Sequence, residues 1–451
     1  MKIDYLLVAP GVEFERPETH PTWAVAEGLA RKGCAVAVLT CHDAPPPRLD
    51  IPSFQLDYPQ RVAAGERWSR EVAERYGASN LRHLAYCEYS YRQDDLEPKP
   101  LAVLVEEAAA AFETVDTFFR QHEIGCVLHT WMGGEILRQV VARVAAQRGI
   151  PSLWQSTYMY FPGRVLFVED GYMRLHGRPT TRFAELPPAQ QEEIRSLVNW
   201  YRTTKPVRLA SQNRRTFGRL ARSFLAEGKF TDIRRIRKGW QRTKTFFAYA
   251  WGRRRMRRPD WTRKFVYFPL HWPGESEMLV VNPKCEDQAA LCSYMARVLP
   301  QDMELWVKPH IANPAEGTPY SVLKTLGRIK NVRIVPPETN TWDILDKASA
   351  VITVFGTTGF QAVMLRKPVV VLGTPAYSGW GVTWDVKDLN SFSGMLDEAL
   401  RAEATEEQLL DFLASFLSIH VPGDWSRAPF DPDVLAQGVI EMSRRCGILS
   451  I

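Results

Sequence analysis

The sequence predicts an α/β protein built from two doubly wound units, and three observations support this. Short, wholly apolar strands alternate with amphipathic helices in residues 1–156, and the same alternation resumes at Lys264. Between them lies a stretch dominated by basic residues. Apolar strands separated by helices are typical of parallel sheets that are covered on both faces. A chain of 451 residues is long enough for two or three such domains.

The first unit is predicted from four strands and three helices. The strands are DYLLVAP, CAVAVLT, CVLHT (after a break at Gly125) and PSLWQS. The helices are HPTWAVAEGLARKG and residues 100–122 and 133–148. Because the N-terminal run is short, carries Asp4 and ends in a Pro-Gly turn, it indicates a buried first strand and not a signal peptide.

The second unit is predicted from five further strands. They are FVYFPL, ELWVKP, VRIVP, AVITVF and PVVVLG, with helical segments between them, and residues 390–445 look helical. The predicted organisation is therefore an N-terminal domain (1–200), a basic helical insertion (201–263), a second α/β domain (264–390) and C-terminal helices (391–451).

The net charge of +6 conceals a strong asymmetry along the chain. Residues 202–264 contain 21 Lys or Arg and three acidic residues, whereas the remainder has 36 basic and 48 acidic residues. The basic surplus therefore belongs to one segment and needs an explanation there.

That segment is patterned as basic amphipathic helices with aromatic residues. In RRTFGRLARSFLAEG the apolar and basic side chains fall on opposite helical faces, and FTDIRRIRKGWQRTKTFFAYAWGRRRMRR again mixes the two kinds. An anionic membrane surface suits such a pattern, since each Lys or Arg near it contributes on the order of 1 kcal/mol. Alternatively, the apolar faces pack on the protein and the arginines are solvated. A groove for an anionic glycan or for nucleic acid is a third reading, and nothing in the segment resembles a nucleic-acid module.

Several function classes are disfavoured. The sequence has no GxxxxGK[ST], HExxH or GxSxG motif, no metal-ligand cluster, and no GxGxxG after the first strand. The seven cysteines are scattered, odd in number and without CxxC spacing, which predicts a reducing compartment, and no apolar stretch is long enough to span a bilayer. We therefore expect a cytoplasmic protein without a bound metal.

The richest chemical signal is the stretch SAVITVFGTTGFQAVMLRKPVVVLGTPAYSGWGV. It reads as a βαβ unit in which Gly356, Thr357, Thr358 and Gly359 form a turn at a helix N-terminus. Unpaired backbone N–H groups and the helix dipole attract phosphate there, and the two hydroxyl groups add donors. The alternative is a threonine that only caps the helix.

Two other loops leave predicted strands of the second unit. WVKPHIANP contains Lys308 and His310, and FPLHWPGES contains His271, Glu275 and Ser276. Because carboxyl ends of parallel strands meet at one edge, we expect these loops and the Gly/Thr turn to lie together. A lysine and a histidine in that position suit a phosphate or a leaving group.

In the first unit the stretch FVEDGYMR places Glu169 and Asp170 side by side between an apolar run and a glycine. Adjacent acids usually form an exposed turn. A catalytic carboxylate is the competing interpretation, with Asp170 preferred because it adjoins Gly171.

Together, VEDGYMRLHG, FPLHWPGES, VKPH and GTTGFQAVMLRKPVVVLGTPAYSGWG resemble the bacterial capsular polysaccharide synthesis family, which includes transferases that add β-Kdo from CMP-Kdo to a lipid-linked acceptor. The resemblance covers residues 150–180 and 264–385, and not the N-terminal 120 residues or the basic segment. It implies a GT-B fold, in which two Rossmann-like domains face each other across a cleft. The N-terminal domain would hold the acceptor and the C-terminal domain the nucleotide sugar.

The resemblance also implies roles for individual residues. Asp170 would be the catalytic carboxylate, with Glu169 shaping its turn, and Lys308 and His310 would contact the CMP phosphate. The remaining implied ligands of the nucleotide sugar are Thr357, Thr358, Gly359, Glu275 and Ser276. A carboxylate near the anomeric carbon serves as a base or as a nucleophile, and cationic and N–H groups stabilise the leaving phosphate.

The resulting hypothesis is a metal-independent glycosyltransferase of surface polysaccharide assembly, peripheral at the inner face of the cell membrane. Its partners would be a nucleotide sugar, a lipid-linked or glycan acceptor and, through residues 202–264, an anionic membrane surface. The nucleotide sugar would be a co-substrate, so no resident cofactor is expected. The alternatives are a CDP-polyol phosphotransferase, a nucleotide-sugar epimerase and a non-enzymatic membrane scaffold.

Overall fold

A computed structural model describes residues 1–11, 13, 20–41, 51–91, 99–156, 158, 160–206, 233–310, 318–425 and 429–448. The chain forms two compact units: unit 1 comprises Met1–Thr180 and Ser415–Ile451, and unit 2 comprises Thr181–Ala414. The predicted amphipathic helix in RRTFGRLARSFLAEG lies outside the described residues.

Unit 1 is built on a seven-stranded sheet. Its strands are β1 (Lys2–Val8), β2 (Val36–Thr40), β3 (Ser53–Gln55), β4 (Glu123–His129), β5 (Ser152–Gln155), β6 (Arg164–Val168) and β13 (His420–Pro422), in the order β13-β6-β5-β4-β1-β2-β3. All neighbouring pairs are parallel except β5–β6 and β6–β13. The sheet is therefore mixed, where the sequence predicted a parallel one.

Helices cover both faces of this sheet. They are α1 (Thr22–Arg31), α2 (Tyr58–Ala63), α3 (Glu71–Arg75), α4 (Leu81–Tyr91), α5 (Leu101–Gln121), α6 (Ile136–Gln147) and α15 (Pro432–Arg445). Alternation along β1 decides which side chains meet which helices: Leu6 and Val8 pack in the core with α5 and α6, whereas Tyr5 and Leu7 pack with α1 and α15.

Unit 2 is built on a six-stranded sheet in which every pair is parallel. Its strands are β7 (Lys264–Pro269), β8 (Met303–Lys308), β9 (Val332–Ile334), β10 (Ala350–Thr353), β11 (Val369–Val371) and β12 (Trp384–Asp385), in the order β12-β11-β10-β7-β8-β9. The five strands predicted for this unit are confirmed. The short β12 was not predicted.

The helices of unit 2 are α7 (Pro188–Thr204), α8 (Ile233–Gly252), α9 (Gln288–Val298), α10 (Tyr320–Leu326), α11 (Thr341–Lys347), α12 (Thr357–Met364) and α13 (Phe392–Arg401), and α14 (Glu406–Ser418) leads into unit 1. Single helical turns occur at Phe183–Glu185, Arg253–Arg255, Glu277–Val281, Pro283–Cys285 and Leu389–Ser391. The chain thus contains two Rossmann-like α/β units, which confirms the predicted fold class. Proteins of the GT-B fold are composed of two such domains.

Two details of the predicted elements were wrong. Gly125 does not break the chain before a strand, because β4 runs through it and pairs with β1 on both sides. The stretch 390–445 is not wholly helical, since it contains β13, which pairs with β6 and extends the sheet of unit 1.

The compact units also divide the chain differently from the predicted domains. α7 belongs to unit 2, where Arg202 donates to the carbonyl of Met364 and pairs with Glu406. α15 belongs to unit 1, because Gly28 of α1 lies so close to Pro432 that a Cβ there would be 1.9 Å from its carbonyl oxygen. Within the described part of the basic segment, α8 does not form a domain of its own, since Tyr249 is part of the core of unit 2.

Candidate functional site

The carboxyl ends of the unit 2 strands carry the loops that the sequence singled out. β7 leads to His271, Glu275 and Ser276, β8 ends in Lys308 and leads to His310, and β10 leads through the Gly356 turn into α12. All of these strands are parallel, so the loops share one edge of the sheet, as predicted. Ligands of open α/β sheets bind at that edge.

The N-terminus of α12 is open to an anion. Gly356, with φ of +88°, occupies the N-cap position, and no side chain caps the helix. The hydroxyl groups of Thr357 and Thr358 make no hydrogen bond to any other described residue. The alternative in which a threonine caps the helix is therefore not the arrangement seen, and the first-turn N–H groups and both hydroxyls can serve a ligand.

Gly359 has a packing role in this turn. A Cβ at Gly359 would lie 2.2 Å from the hydroxyl oxygen of Tyr377. That buried hydroxyl donates to the carbonyl of Gly356 at 3.0 Å, and burial raises its pKa. Gly359 thus lets Tyr377 approach and hold the turn, which explains this glycine without a direct ligand contact.

His271 is oriented towards the same turn. The backbone N–H of Val354 donates to its Nε2 at 3.3 Å, so the proton of the neutral ring is on Nδ1. A Cβ at Gly356 would lie 4.0 Å from that Nδ1. Burial, with a smaller contribution from nearby His310, lowers the pKa of His271 to about 3. His271 is therefore a neutral N–H donor beside the anion-binding turn.

Lys308 is directed to a neighbouring loop. Its Nζ donates to the carbonyl of Thr339 at 2.7 Å and to the hydroxyl of Thr341 at 2.6 Å. Burial lowers its pKa to about 8. An ammonium group has three donors, so one remains beyond these two bonds. The predicted contact of Lys308 with a phosphate would use that donor.

His310 and Glu275 complete this edge as weakly charged groups. The ring of His310 lies edge-on to Trp272 at 6.0 Å, and burial lowers its pKa. Glu275 is half-buried, its carboxyl group makes no hydrogen bond to another described residue, and burial together with Glu277 raises its pKa to about 8. Ser276 donates to Glu277 at 3.2 Å.

In unit 1, Asp170 forms a tightly bonded turn. Its Oδ1 accepts from the N–H groups of Tyr172 (3.0 Å) and Arg174 (3.2 Å), and its Oδ2 accepts from Nε of Arg174 (2.6 Å). Glu169 is more exposed and lies 3.9 Å from the same guanidinium. This is the bonding of an acidic turn, and a catalytic Asp170 would have to release part of it.

The direction of β6 adds a second constraint on this turn. β6 runs antiparallel to β5, so its C-terminal end points away from the sheet edge that holds the C-terminal ends of β1, β4 and β5. Glu169 and Asp170 directly follow that end of β6. The sequence did not predict this reversal. The catalytic role of Asp170 stays a prediction.

Another group of buried polar side chains does lie at the carboxyl edge of unit 1. It consists of Glu13, His129, Glu135 and Arg138, all almost fully buried. The sequence reasoning missed it, although HTWMGGEILR after a strand carries a histidine, two glycines and a glutamate. Within the described part of the chain, no group of three or more His, Cys, Asp or Glu side chains could hold a metal ion.

The fold and this edge define a chain of two Rossmann-like units, the second of which has an open anion-binding helix N-terminus. Residues 238–411 match the model of the family described as capsule polysaccharide biosynthesis protein. The match confirms the resemblance to the capsular polysaccharide synthesis family over most of unit 2. It begins inside α8, so it includes part of the basic segment, and it does not include VEDGYMRLHG.

Among curated proteins, the capsule polysaccharide modification protein LipA of Neisseria meningitidis serogroup B is 30% identical over 82 residues. Those residues are 18% of this chain and 12% of that protein. The aligned part therefore spans only a small fraction of the relative's length.

Similar solved structures include a KpsC β-Kdo 2,4 transferase from Thermosulfurimonas dismutans, at 18% identity and a TM-score of 0.29, covering 65% of this chain and 84% of that chain. The α,α-trehalose 6-phosphate synthase of Burkholderia multivorans is 12% identical, with a TM-score of 0.36 and 99% coverage of both chains. The structure of S. aureus MnaA with UDP is 12% identical, with a TM-score of 0.31, covering 100% of this chain and 98% of that chain.

Proposed function

We propose that this protein is a glycosyltransferase of capsular or surface polysaccharide assembly, with a nucleotide sugar, CMP-Kdo or a related compound, as donor. One observation carries the proposal: the uncapped N-terminus of α12, the hydroxyls of Thr357 and Thr358 and the Nδ1–H of His271 lie at one turn. Such a set of donors suits the phosphate of a nucleotide sugar. The family match over residues 238–411 supports the same reading.

The chemistry of these donors favours a leaving monophosphate. At neutral pH His271 is uncharged and Glu275 is mostly protonated, because burial shifts their pKa values to about 3 and about 8. Charge that develops on a departing phosphate would be stabilised by N–H and O–H dipoles and by the third donor of Lys308. A CMP-sugar leaves a monophosphate, which one helix terminus and one lysine can serve.

The experiment that tests this proposal is a thermal-shift series with CMP, CDP and UDP. We expect CMP to raise the melting temperature most. Replacing both Thr357 and Thr358 by valine should raise the apparent Kd for CMP at least about tenfold, which corresponds to the loss of one or two hydrogen bonds. Thr325→Val, at an exposed position of α10, is the control and should bind as the wild type. The proposal fails if no nucleotide binds, or if the double variant binds normally.

The same series separates the alternatives. Preference for CDP would favour a polyol phosphotransferase, and preference for UDP an epimerase. A non-enzymatic scaffold requires no nucleotide binding. Transfer of sugar from CMP-Kdo to a lipid-linked acceptor mimic, followed by mass spectrometry, then tests the donor and acceptor directly.

We also propose that α8 places the enzyme on an anionic membrane surface. Trp240, Phe247 and Trp251 are 55–60% exposed and lie seven and four residues apart, so they share one face of the helix. Tyr249 is buried on the opposite face, where Gly252 packs against Leu323. The helix is thus anchored in unit 2 and still presents an aromatic stripe.

Charge near the stripe suits a lipid surface. Lys244 lies over the ring of Trp240, and Arg254 lies over the ring of Trp251 with its guanidinium carbon 4.1 Å from the ring centroid. Tryptophan with basic neighbours is typical of the membrane interface. No described helix is long and apolar enough to cross a membrane.

Vesicle flotation tests this surface. The variant with both Trp240→Ala and Trp251→Ala should bind anionic vesicles at least about tenfold more weakly. Burial of each exposed ring in the lipid would contribute about 1.5–3 kcal/mol to binding. Trp200→Ala is the control, because Trp200 of α7 is 40% exposed outside the stripe. Binding should also weaken as salt increases. Equal flotation of the two variants would contradict the assignment.

A further inference from the structure

Unit 2 contains a recess that the proposed transfer chemistry does not use. It lies between the end of α12, the start of β12 and the segment that joins α13 to α14. Its polar lining consists of Arg366, Lys367, Trp384, Glu403 and Gln408. These elements meet at the edge where the parallel strands begin, whereas the Gly356 turn lies at the edge where they end. The recess and the anion-binding turn are therefore at opposite ends of α12.

The size of the recess limits what it can hold. Its volume is about 100 Å³. One water occupies about 30 Å³ of the liquid, and pockets for drug-sized ligands begin at about 300 Å³. Val363 and Leu409 are buried and give the recess an apolar wall. The recess can therefore take one small ring, with part of it left in solvent, and not a nucleotide.

Arg366 has an unusual backbone conformation. Its φ is +55°, in the left-handed region, just after the end of α12. There its N–H donates to the carbonyl of Val363, and the N–H of Lys367 donates to the carbonyl of Ala362. Glycine or asparagine usually occupies such a position, because the Cβ of other residues crowds a carbonyl oxygen. An arginine that accepts this strain indicates a use for its side chain.

The guanidinium of Arg366 keeps most of its donors. Its Nε lies 3.5 Å from Oε2 of Glu406, whose two oxygens already accept from Arg202 at 2.9 and 2.8 Å. The two terminal nitrogens of Arg366 make no hydrogen bond to any other described residue. Such a planar pair of donors matches the two oxygens of a carboxylate. Lys367 adds positive charge, although its Nζ already donates to two carbonyl groups.

The remaining polar groups of the recess suit hydroxyl groups. Within the described chain, Glu403 makes no hydrogen bond or ion pair. Gln408 accepts from the N–H of Thr405 at 3.0 Å through Oε1, and its Nε2 has no partner among the described residues. Trp384 is half-buried, and its indole N–H makes no hydrogen bond to another described residue. A carboxylate, an amide and an indole N–H all bind hydroxyl groups, and an indole face suits the apolar face of a sugar ring.

We propose that this recess binds one acidic sugar unit of a glycan, at a site separate from the site of sugar transfer. The carboxylate of the sugar would pair with Arg366, and its hydroxyl groups would bind Glu403, Gln408 and the indole N–H of Trp384. The assignment to a glycan rests on the proposed function. Kdo is itself an acidic sugar, so a glycan extended by the proposed transferase would carry the unit that the recess fits. A second contact of this kind would hold the glycan near the enzyme by raising its effective concentration.

The lining argues against two other small ligands. A free phosphate would meet the carboxylate of Glu403 and would leave the indole face unused. A zwitterionic amino acid could pair with both Arg366 and Glu403, but it would leave Nε2 of Gln408 and the N–H of Trp384 without partners. A sugar with several hydroxyl groups satisfies all four side chains.

The indole N–H resonance of Trp384 tests the proposal in the full chain labelled with ¹⁵N-tryptophan, where Trp384→Phe identifies the resonance. The probes are the methyl glycosides of Kdo, glucuronic acid and glucose, together with phenylalanine and inorganic phosphate. We expect an acidic glycoside to shift this resonance with an apparent Kd at least about tenfold below that of methyl glucoside, because only the acidic sugar pairs with the guanidinium. Its binding should weaken as salt increases.

Arg366→Gly is the decisive variant, because glycine adopts a φ of +55° without strain and the fold should be kept. It should raise the apparent Kd for the acidic glycoside at least about tenfold. Lys205→Gly is the matched control, since Lys205 also has a positive φ (47°), at the end of α7, and does not line the recess. This control should bind as the wild type. Glu403→Gln retains a hydroxyl-binding group, so it should stay within about threefold of the wild type, whereas an amino acid ligand would lose its charge partner.

Four results would overturn the proposal. They are no shift of the Trp384 resonance with either acidic glycoside, equal affinity for methyl glucoside, tightest binding of phenylalanine or phosphate, and wild-type affinity in Arg366→Gly.

A failure of this site can be told apart from a failure of the proposed function. CMP binding at the α12 turn should be unchanged in Arg366→Gly, and loss of acidic-sugar binding with intact CMP binding in that variant supports the site. CMP binding by the wild type without any acidic-sugar binding at Trp384 overturns this inference alone.

Discussion

Replacing Glu275 by glutamine should stabilise the protein at neutral pH. Burial and the neighbouring Glu277 raise the pKa of this carboxyl group from 4.5 to about 8. Between those pH values the folded state keeps a proton that the unfolded state releases, so the stability of the wild type falls as the pH rises. Each pH unit in that interval costs about 1.4 kcal/mol, which amounts to roughly 3 kcal/mol at pH 7.

Glutamine does not titrate, so the variant should lack this pH dependence. Wild type and variant are expected to be similar near pH 4.5 and to diverge steadily up to pH 8, above which the difference stays constant. Because β10 belongs to unit 2, hydrogen exchange of its buried amides reports the free energy of opening of unit 2 separately from the stability of unit 1. Glu398→Gln, at an exposed position of α13, is the control.

The same titration has a consequence for the anion site. Below pH 8 the carboxyl group of Glu275 is mostly neutral and does not repel a phosphate, whereas above pH 8 it is an anion at the same sheet edge. Nucleotide affinity should therefore fall above pH 8 in the wild type and not in Glu275→Gln. Parallel stability curves for the two proteins between pH 4.5 and 8 would refute the reasoning, because they would show that Glu275 ionises in the ordinary range.

Three further outcomes are expected. Gly359→Ala would place its methyl group 2.2 Å from the hydroxyl oxygen of Tyr377, so it should destabilise unit 2 by about 1–3 kcal/mol in chemical denaturation. Gly394→Ala is the control, because a Cβ there would have no atom within 4 Å, and it should stabilise unit 2 by about 0.5–1 kcal/mol. His271 should show no titration between pH 5 and 8 in NMR spectra, because its pKa is about 3; the unfolded state gains a proton first as the pH falls, so stability decreases below about pH 6.5. Asp170→Asn should reduce transfer at least about a hundredfold if Asp170 is the catalytic carboxylate, and a loss confined to Glu169→Gln would assign that role to its neighbour.

Much of the fold could be predicted because it is encoded locally. The apolar runs that became β7, β8, β10 and β11 are strands buried over most or all of their length, and the helix predicted at residues 100–122 is α5, Leu101–Gln121. Hydrophobic periods of 2 and 3.6 residues, together with glycine and proline at element ends, are properties of short windows. The clustering of three loops at one edge follows from the parallel topology alone.

The errors fall where distant segments meet. β6 pairs on its other edge with β13, more than 250 residues away, which completes the same sheet. The return of the C-terminal helix α15 to unit 1 depends on its contact with α1. Neither pairing leaves a mark in a short window of sequence.

The candidate site shows the same division. The sequence by itself determined which residues lie at or just after the ends of the strands: the Gly356 turn, His271, Glu275, Lys308 and the Glu169–Asp170 pair. Only the tertiary structure decided where their polar atoms go, turning Lys308 towards Thr339 and Asp170 towards Arg174. It also brought His129 and Glu135 to Arg138. The physical reason is that a hydrogen bond requires a particular distance and direction between groups that are far apart in the chain, and folding alone supplies both.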